Sequence, residues 1–227
     1  MAYKMPVQKY SGKINEVTIG NGLKLGGESV LPFYSFDGDI GNKPAIGMEI
    51  WDIYPESWPK CLQEIFKDVA DDPAKWANFC IYNYSPDFIC LKFEGASPDG
   101  LDRSPEECAE IAKKVAESVS VPLVIAGCQS NEKNAKVFTK VAEALADKNF
   151  VFLSAVESNY KEVGAAVGMA YGNIVAAESS VDLNLAKQLN ILITQLGIKP
   201  DRMVMDPGCS AVGYGFEYVV TTMDRIR

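Results

Sequence analysis

The stretch VMDPGCSAVGYG, Val204 to Gly215, places an acid, a proline, three glycines and a thiol after a short apolar run. Such residues can line a metal loop, cradle a phosphate, arm a nucleophile or simply turn the chain. The rest of the sequence narrows the choice. It contains no histidine, which removes the commonest general base, the Ser-His-Asp and Cys-His arrangements and most transition-metal sites. Its six cysteines, at 61, 80, 90, 108, 128 and 209, form no C-x-x-C pair and no zinc or iron–sulfur spacing. Cys90 and Cys108 fall inside apolar patterns and read as small hydrophobes. Scattered thiols of this kind fit a reducing compartment. Any chemistry must therefore use carboxylates, amides, lysine, tyrosine, thiols or a borrowed cofactor.

Repeated elements position these residues. From Pro44 onward, a short apolar run ending in small or polar residues is followed by an amphipathic run, again and again. The runs Ala45–Ile50, Phe88–Phe93, Leu123–Ala126, Phe150–Leu153, Ile174–Ala177 and Met203–Met205 read as strands. Helices are expected at Pro59–Val69 with a further turn near Pro73–Tyr82, then at Pro105–Ser118, Glu132–Ala146, Lys161–Ala170, Asp182–Leu196 and Phe216–Arg227. In RSPEECAEIAKKVAESV, Ser104 can cap, Pro105 suits the first turn, and acids precede lysines. Ser180 reads as the cap of the helix that Gly197 stops. Residues 1–43 differ. GKINEVTIGNGLKLGGESV alternates on both sides of Asn21-Gly22 and predicts a β-hairpin, with Asn-Gly taking the positive φ angles of a tight turn. The chain thus divides into an N-terminal extension, 1–43, and an α/β domain, 44–227.

Alternating strands and helices imply a parallel sheet, either doubly wound or closed as a (β/α)8 barrel. No G-x-G-x-x-G follows the first strand, and GYGFEY lacks the third glycine. In either architecture ligands gather at the C-terminal strand ends. Those ends carry Trp51-Asp52, Glu94-Gly95, Gly127-Cys128-Gln129, Ser154-Ala155 with Glu157 and Asn159 beyond, Glu178-Ser179-Ser180, and Asp206-Pro207-Gly208-Cys209. The rim reads as small residues, amides, hydroxyls and carboxylates without lysine or arginine, unlike a charged phosphate site. Each group also has a plain structural reading: Glu94 and Ser180 as caps, Asp206-Pro207-Gly208 as a turn, Trp51 as packing, Cys128 and Cys209 as inert thiols. Their common location is the stronger signal.

The net charge of −8 and the pI near 4.7 argue against nucleic acid and anionic membranes as partners. No apolar run is long enough for a bilayer, and MAYKMPVQKYSG has no signal-peptide core, so a cytoplasmic protein is expected.

Four segments carry a family resemblance: KPAIGMEIWDIYPESWPKCL, the run PDFICLKFEGASPDGLDRSPEECAEIAKKVAESVSVPLVIAGCQ, FLSAVESNYKEVGAAVGMAYG, and VAAESSVDLNLAKQLNILITQLGIKPDRMVMDPGCSAVGYGFEYVVTTMDRIR. They resemble the small subunit of the corrinoid iron–sulfur protein, the delta subunit of the acetyl-CoA decarbonylase/synthase complex. The likeness runs from about Tyr10 to Arg227. It implies a (β/α)8 TIM barrel, here truncated after the sixth βα unit and preceded by the hairpin extension. It implies a heterodimer whose large subunit holds a [4Fe–4S] cluster and most of the surface for a corrinoid (cobalamin). The methyl group would come from methyltetrahydrofolate, or a related pterin, through a methyltransferase. It would leave to CO dehydrogenase/acetyl-CoA synthase in the methyl branch of the Wood–Ljungdahl pathway of carbon fixation. This chain would be a non-catalytic subunit covering the corrinoid at the subunit interface. The candidate cofactor-facing residues are then Glu94, Cys128, Gln129, Ser154, Asn159, Glu178, Ser179, Asp206, Cys209 and Tyr214.

Two enzyme readings compete. A pterin-binding barrel methyltransferase would act directly on methyltetrahydrofolate and needs convergent Asp and Asn groups. An aldolase- or glycosidase-type barrel needs a Schiff-base lysine or paired carboxylates. Lys92, between Leu91 and Phe93, is the one strand lysine, and the sequence leaves its direction open.

Overall fold

The computed structural model describes residues 3–9, 11–30 and 34–227. Its strands are β1 (Glu16–Ile19), β2 (Leu23–Gly26), β3 (Gly47–Trp51), β4 (Phe88–Lys92), β5 (Leu123–Ala126), β6 (Val151–Ala155), β7 (Ile174–Glu178) and β8 (Met203–Asp206). Its helices are α1 (Lys60–Phe66), α2 (Pro73–Tyr84), α3 (Pro105–Ser118), α4 (Asn131–Ala144), α5 (Tyr160–Val163), α6 (Leu183–Gln195) and α7 (Phe216–Ile226). A π-helical segment, Gly164–Ala170, continues α5. The six strands β3 to β8 form one parallel sheet in chain order.

Strand order and helix placement together decide the winding. Ile50, Ile89, Leu91, Ile125, Phe152 and Val175 point to one face of the sheet and pack against Trp76, Ala112, Phe138, Val167 and Leu189 of the helices. The opposite face carries Phe88, Cys90, Val124, Val151, Ile174, Ala176 and Val204. A doubly wound sheet would bury both faces under helices. Here the second face meets Val17, Ile19, Leu23 and Leu25 of the β1–β2 hairpin. The winding is therefore of the one-sided, barrel type, and among the described residues β3 and β8 are the two edges of an open sheet.

The hairpin sits at the N-terminal ends of the strands. Gly20 donates its N–H to Asn149 O at 2.9 Å, just before β6. A Cβ on Gly20 would come 2.6 Å from Pro122, just before β5. The turn differs from the expected two-residue form. Ile19 pairs with Leu23, leaving a three-residue loop in which Gly20 and Gly22, not Asn21, take positive φ. Glycine carries the left-handed conformation without a Cβ penalty, so asparagine need not.

Caps explain where the helices begin. Ser104 and Glu107 form a complete capping box around Pro105 at the start of α3. Their mutual hydrogen bonds hold the Glu107 carboxyl below its ordinary value. Asp72 accepts from Ala74 N and Lys75 N, so the turn expected near Pro73 is a 12-residue helix, α2. The cap of α6 is Asp182, which accepts from Asn184 N at 2.7 Å and Leu185 N at 3.1 Å, rather than Ser180. Ser180 and Val181 take positive φ and carry the chain round to that cap.

Candidate functional site at the C-terminal strand ends

The rim at the C-terminal strand ends lies opposite the hairpin, and its most ordered part is the β3–β4 corner. Asp52 follows β3 with a fully buried carboxylate. One oxygen accepts from Gly95 N at 2.8 Å, and the other lies 3.0 Å from Arg103 Nε. Burial pushes the Asp52 carboxyl above its ordinary value, while Gly95 and Arg103 pull the other way. Gly95 is required here, since a Cβ would stand 2.7 Å from both Asp52 Oδ2 and the Ile53 side chain.

Strand alternation settles the direction of Lys92. Phe88 and Cys90 face the hairpin side, so Lys92, two residues on, does too. Its Nζ lies 2.9 Å from Glu94 Oε2 and 4.9 Å from the centre of the Trp51 ring. Trp51 donates Nε1–H to Glu49 at 2.7 Å and meets Trp58 edge-on at 5.4 Å. The rim thus does hold a lysine, contrary to the reading of strand ends alone. Lys92 is the last residue of β4 by register, although the apolar run Phe88–Phe93 extends one residue past it.

The middle of the rim is spent on structure. Asn134 of α4 accepts from Cys128 N at 2.8 Å and donates to Cys128 O at 2.7 Å, with Cys128 Sγ 3.3 Å from its Oδ1. Cys128 is therefore buried toward α4, whereas Gln129 beside it is exposed. Asn159 is also buried. It accepts from Val156 N and donates to Asn131 O, so both ends of its amide are engaged. Ser154 is half-buried and follows a cis peptide bond at Leu153–Ser154, where the β6–β7 register shifts.

The β7–β8 corner brings two carboxylates onto one row. Glu178 and Asp206 are register partners, and both are half-buried. Asp206 also accepts from Gly208 N at 2.8 Å, closing a turn on itself. Ser179 is fully buried, with Oγ lacking a hydrogen bond. Cys209 is exposed, and Tyr214 is 89% exposed. Cys128 and Cys209 thus occupy opposite environments and form no thiol pair. Burial pushes the Cys90 and Cys108 thiols up to about 12, as expected of packing residues.

The sequence reading placed Glu94, Glu178 and Asp206 on the rim, left the direction of Lys92 open and overlooked Arg103 and Glu49. A period-2 count back from Lys92 to Phe88 would have found the lysine. Arg103 lies beyond the strand end and meets Asp52 only through the fold.

Comparison with known proteins gives the family. The model of the CO dehydrogenase/acetyl-CoA synthase delta subunit matches residues 16–227. The acetyl-CoA decarbonylase/synthase complex subunit delta of Methanocaldococcus jannaschii is 34% identical over 99% of this chain and 57% of its own length. The corresponding subunit of Methanothermobacter thermautotrophicus is 31% identical over 99% of this chain and 58% of its own. The chain therefore spans somewhat more than half the length of these relatives. A solved structure of a mandelate racemase/muconate lactonizing protein from Paracoccus denitrificans Pd1222 aligns with 78% of this chain and 51% of its own, at a TM-score of 0.37 and 12% identity. With the match running through the hairpin and all six parallel strands, the chain belongs to the CO dehydrogenase/acetyl-CoA synthase delta subunit family.

Proposed function

We propose that this chain is the corrinoid-covering part of a two-subunit methyl carrier in an acetyl-CoA decarbonylase/synthase complex. The observation that carries this reading is the β3–β4 corner. A flat indole, an ammonium and a carboxylate stand together at the rim, with Lys92 Nζ 2.9 Å from Glu94 Oε2 and 4.9 Å from the centre of the Trp51 ring. Such a surface suits the edge of a large planar ring with neutral polar substituents.

The residues fit the periphery of a corrinoid rather than its metal. The chain has no histidine to offer cobalt. Among the described residues, no group of three or more His, Cys, Asp or Glu side chains is placed to hold a metal ion. A bound corrinoid supplies a cobalt that accepts and gives up a methyl group. This chain orients the ring edge and shields it from water. The cobalt ligand and the [4Fe–4S] cluster belong to the large subunit in this reading. The methyltransferase and CO dehydrogenase/acetyl-CoA synthase dock in turn on the assembled pair. The reading adds nothing for a membrane, and no helix among the described residues is long and apolar enough to cross one.

Asn159 weakens the competing pterin-methyltransferase reading. The amide that a pterin site would recruit is already engaged by Val156 and Asn131.

Co-expression with the large subunit tests the proposal. A coloured heterodimer that elutes as one species and loses its corrinoid absorbance without this chain is the expected result. A chain that stays apart from the large subunit, and alone turns over methyltetrahydrofolate, would replace the proposal with the enzyme reading.

A further inference from the structure

We infer that Lys92 and Glu94, set against the Trp51 ring, form a clasp for a neutral amide edge. The inference rests on the corrinoid reading above and names the ligand group that the rim recognises.

Three features point the same way. First, the pair is locally neutral, with an ammonium and a carboxylate 2.9 Å apart. It therefore has no net attraction for a carboxylate or a phosphate, and Glu49, on the edge of the same indole, adds a negative charge that further disfavours anions. Second, both side chains retain hydrogen-bonding capacity toward the rim. Lysine has three N–H donors. One points at Glu94 and the Trp51 face takes the local charge, which leaves a donor free. Glu94 Oε2 lies against Lys92 and is closed to solvent, while the side chains of Lys92 and Glu94 are 29% and 24% exposed, so the other carboxylate oxygen is the acceptor left toward the rim. Third, donor and acceptor stand side by side. A primary carboxamide matches them with its carbonyl on Lys92 and its N–H on Glu94, and its plane can lie along the indole.

Trp51 and Asp52 set this geometry. The ring is fixed by Glu49 and Trp58, and the turn bearing Glu94 is fixed by the Gly95–Asp52 hydrogen bond. The clasp is thus built before any ligand arrives, which lowers the ordering cost of binding.

A corrin ring carries primary amides around its edge. A pterin has the same chemistry in its cyclic amide, a carbonyl beside an N–H. Calorimetric titration of the corrinoid-free pair, this chain with the large subunit, separates the two sources. The probes are cobinamide, an amide-edged corrinoid without the nucleotide loop; cobyrinic acid, in which carboxylates replace those amides; and 6-methylpterin. Cobinamide is expected to bind, and Lys92→Met and Glu94→Gln should each weaken it about tenfold, the loss of one hydrogen bond to a charged group. Cobyrinic acid should bind at least about tenfold more weakly, because its carboxylates meet Glu94. Lys136→Met, in an exposed pair with Glu132, should change nothing. Circular dichroism establishes that each variant is folded.

Equal affinity for cobinamide in wild type and both rim variants would overturn the clasp and leave the corrinoid reading standing. Equal or tighter binding of cobyrinic acid would do the same. Binding of 6-methylpterin but not cobinamide, lost in both variants, would keep the clasp and overturn the corrinoid reading. If neither probe binds, both fall.

Discussion

At the β3–β4 end of the rim, each polar side chain is held by another: Asp52 by Arg103 and Gly95, Lys92 by Glu94 and Trp51, Trp51 by Glu49. At the β7–β8 end the same sheet row carries Glu178 and Asp206, but the loop beyond them is made of glycines and exposed side chains. Gly208, Gly213 and Gly215 take positive φ, and Val212 and Tyr214 stand in solvent. The first corner is a surface whose chemistry is fixed by side-chain contacts. The second is shaped by its backbone and leaves its side chains free to meet something else. Two ends of one rim can thus serve recognition in different ways: one by preorganisation, the other by adaptability.

The largest break in this contrast is expected at Arg103. Arg103→Met strands a fully buried carboxylate, and about 3 kcal/mol of stability should be lost in urea unfolding. A loss of the same size from Cys209→Ser or Tyr214→Ala, both exposed, would erase the distinction.

Paired glycine substitutions sharpen it. Gly95→Ala drives a Cβ to 2.7 Å from Asp52 and Ile53 and should cost about 2 kcal/mol by overpacking. Gly213→Ala meets nothing within 4 Å but sits at φ +80°. Its cost should be about 1 kcal/mol, purely conformational. Thermal unfolding of the two variants reads the difference directly.

Asp52 also gives the first corner a pH dependence. Its folded carboxyl keeps its proton to higher pH than an unfolded aspartate, whose pKa is about 3.9. Between the two values the folded state binds more protons, so this group's contribution to stability falls as pH rises and then levels off. Each unit separating the two values is worth about 1.4 kcal/mol. In Asp52→Asn that descent should vanish from urea midpoints measured between about pH 4 and 7. An unchanged profile would mean that the carboxylate is not desolvated.

The smallest effects belong to the second corner. Cys209→Ser and Tyr214→Ala should each fall within about 0.5 kcal/mol of wild type, since both side chains are exposed and Cys209 makes only a local Sγ contact to Ser210 O.

Local rules made much of this fold legible. Short continuous apolar runs located all six parallel strands, and Ser104 and Pro105 announced α3 with its cap. Asp182 was harder to choose over Ser180, because both are good caps and only the positive φ at Ser180 and Val181 decides between them. The one-sided winding was open until the hairpin was seen on the second face, a contact no periodicity encodes. At the rim, the sequence gathered the carboxylates because strand ends can be counted. It could not say that Cys128 and Asn159 spend their polar atoms on the backbone and on neighbouring turns, since those partners lie on other elements. Lys92 sat within reach of the same count and was left undirected.

The β1–β2 hairpin has a consequence for how the chain assembles. It is made before any strand of the sheet, yet its apolar side chains rest on β5, β6 and β7. During synthesis it must wait, with Val17 and Ile19 unburied, until most of the sheet has left the ribosome. Docking is then a long-range closure that depends on a nearly finished partner surface, the kind of contact that slows folding. Weakening the hairpin should therefore speed the release of structure more than it slows its acquisition, because contacts formed after the transition state act mainly on the rate of unfolding.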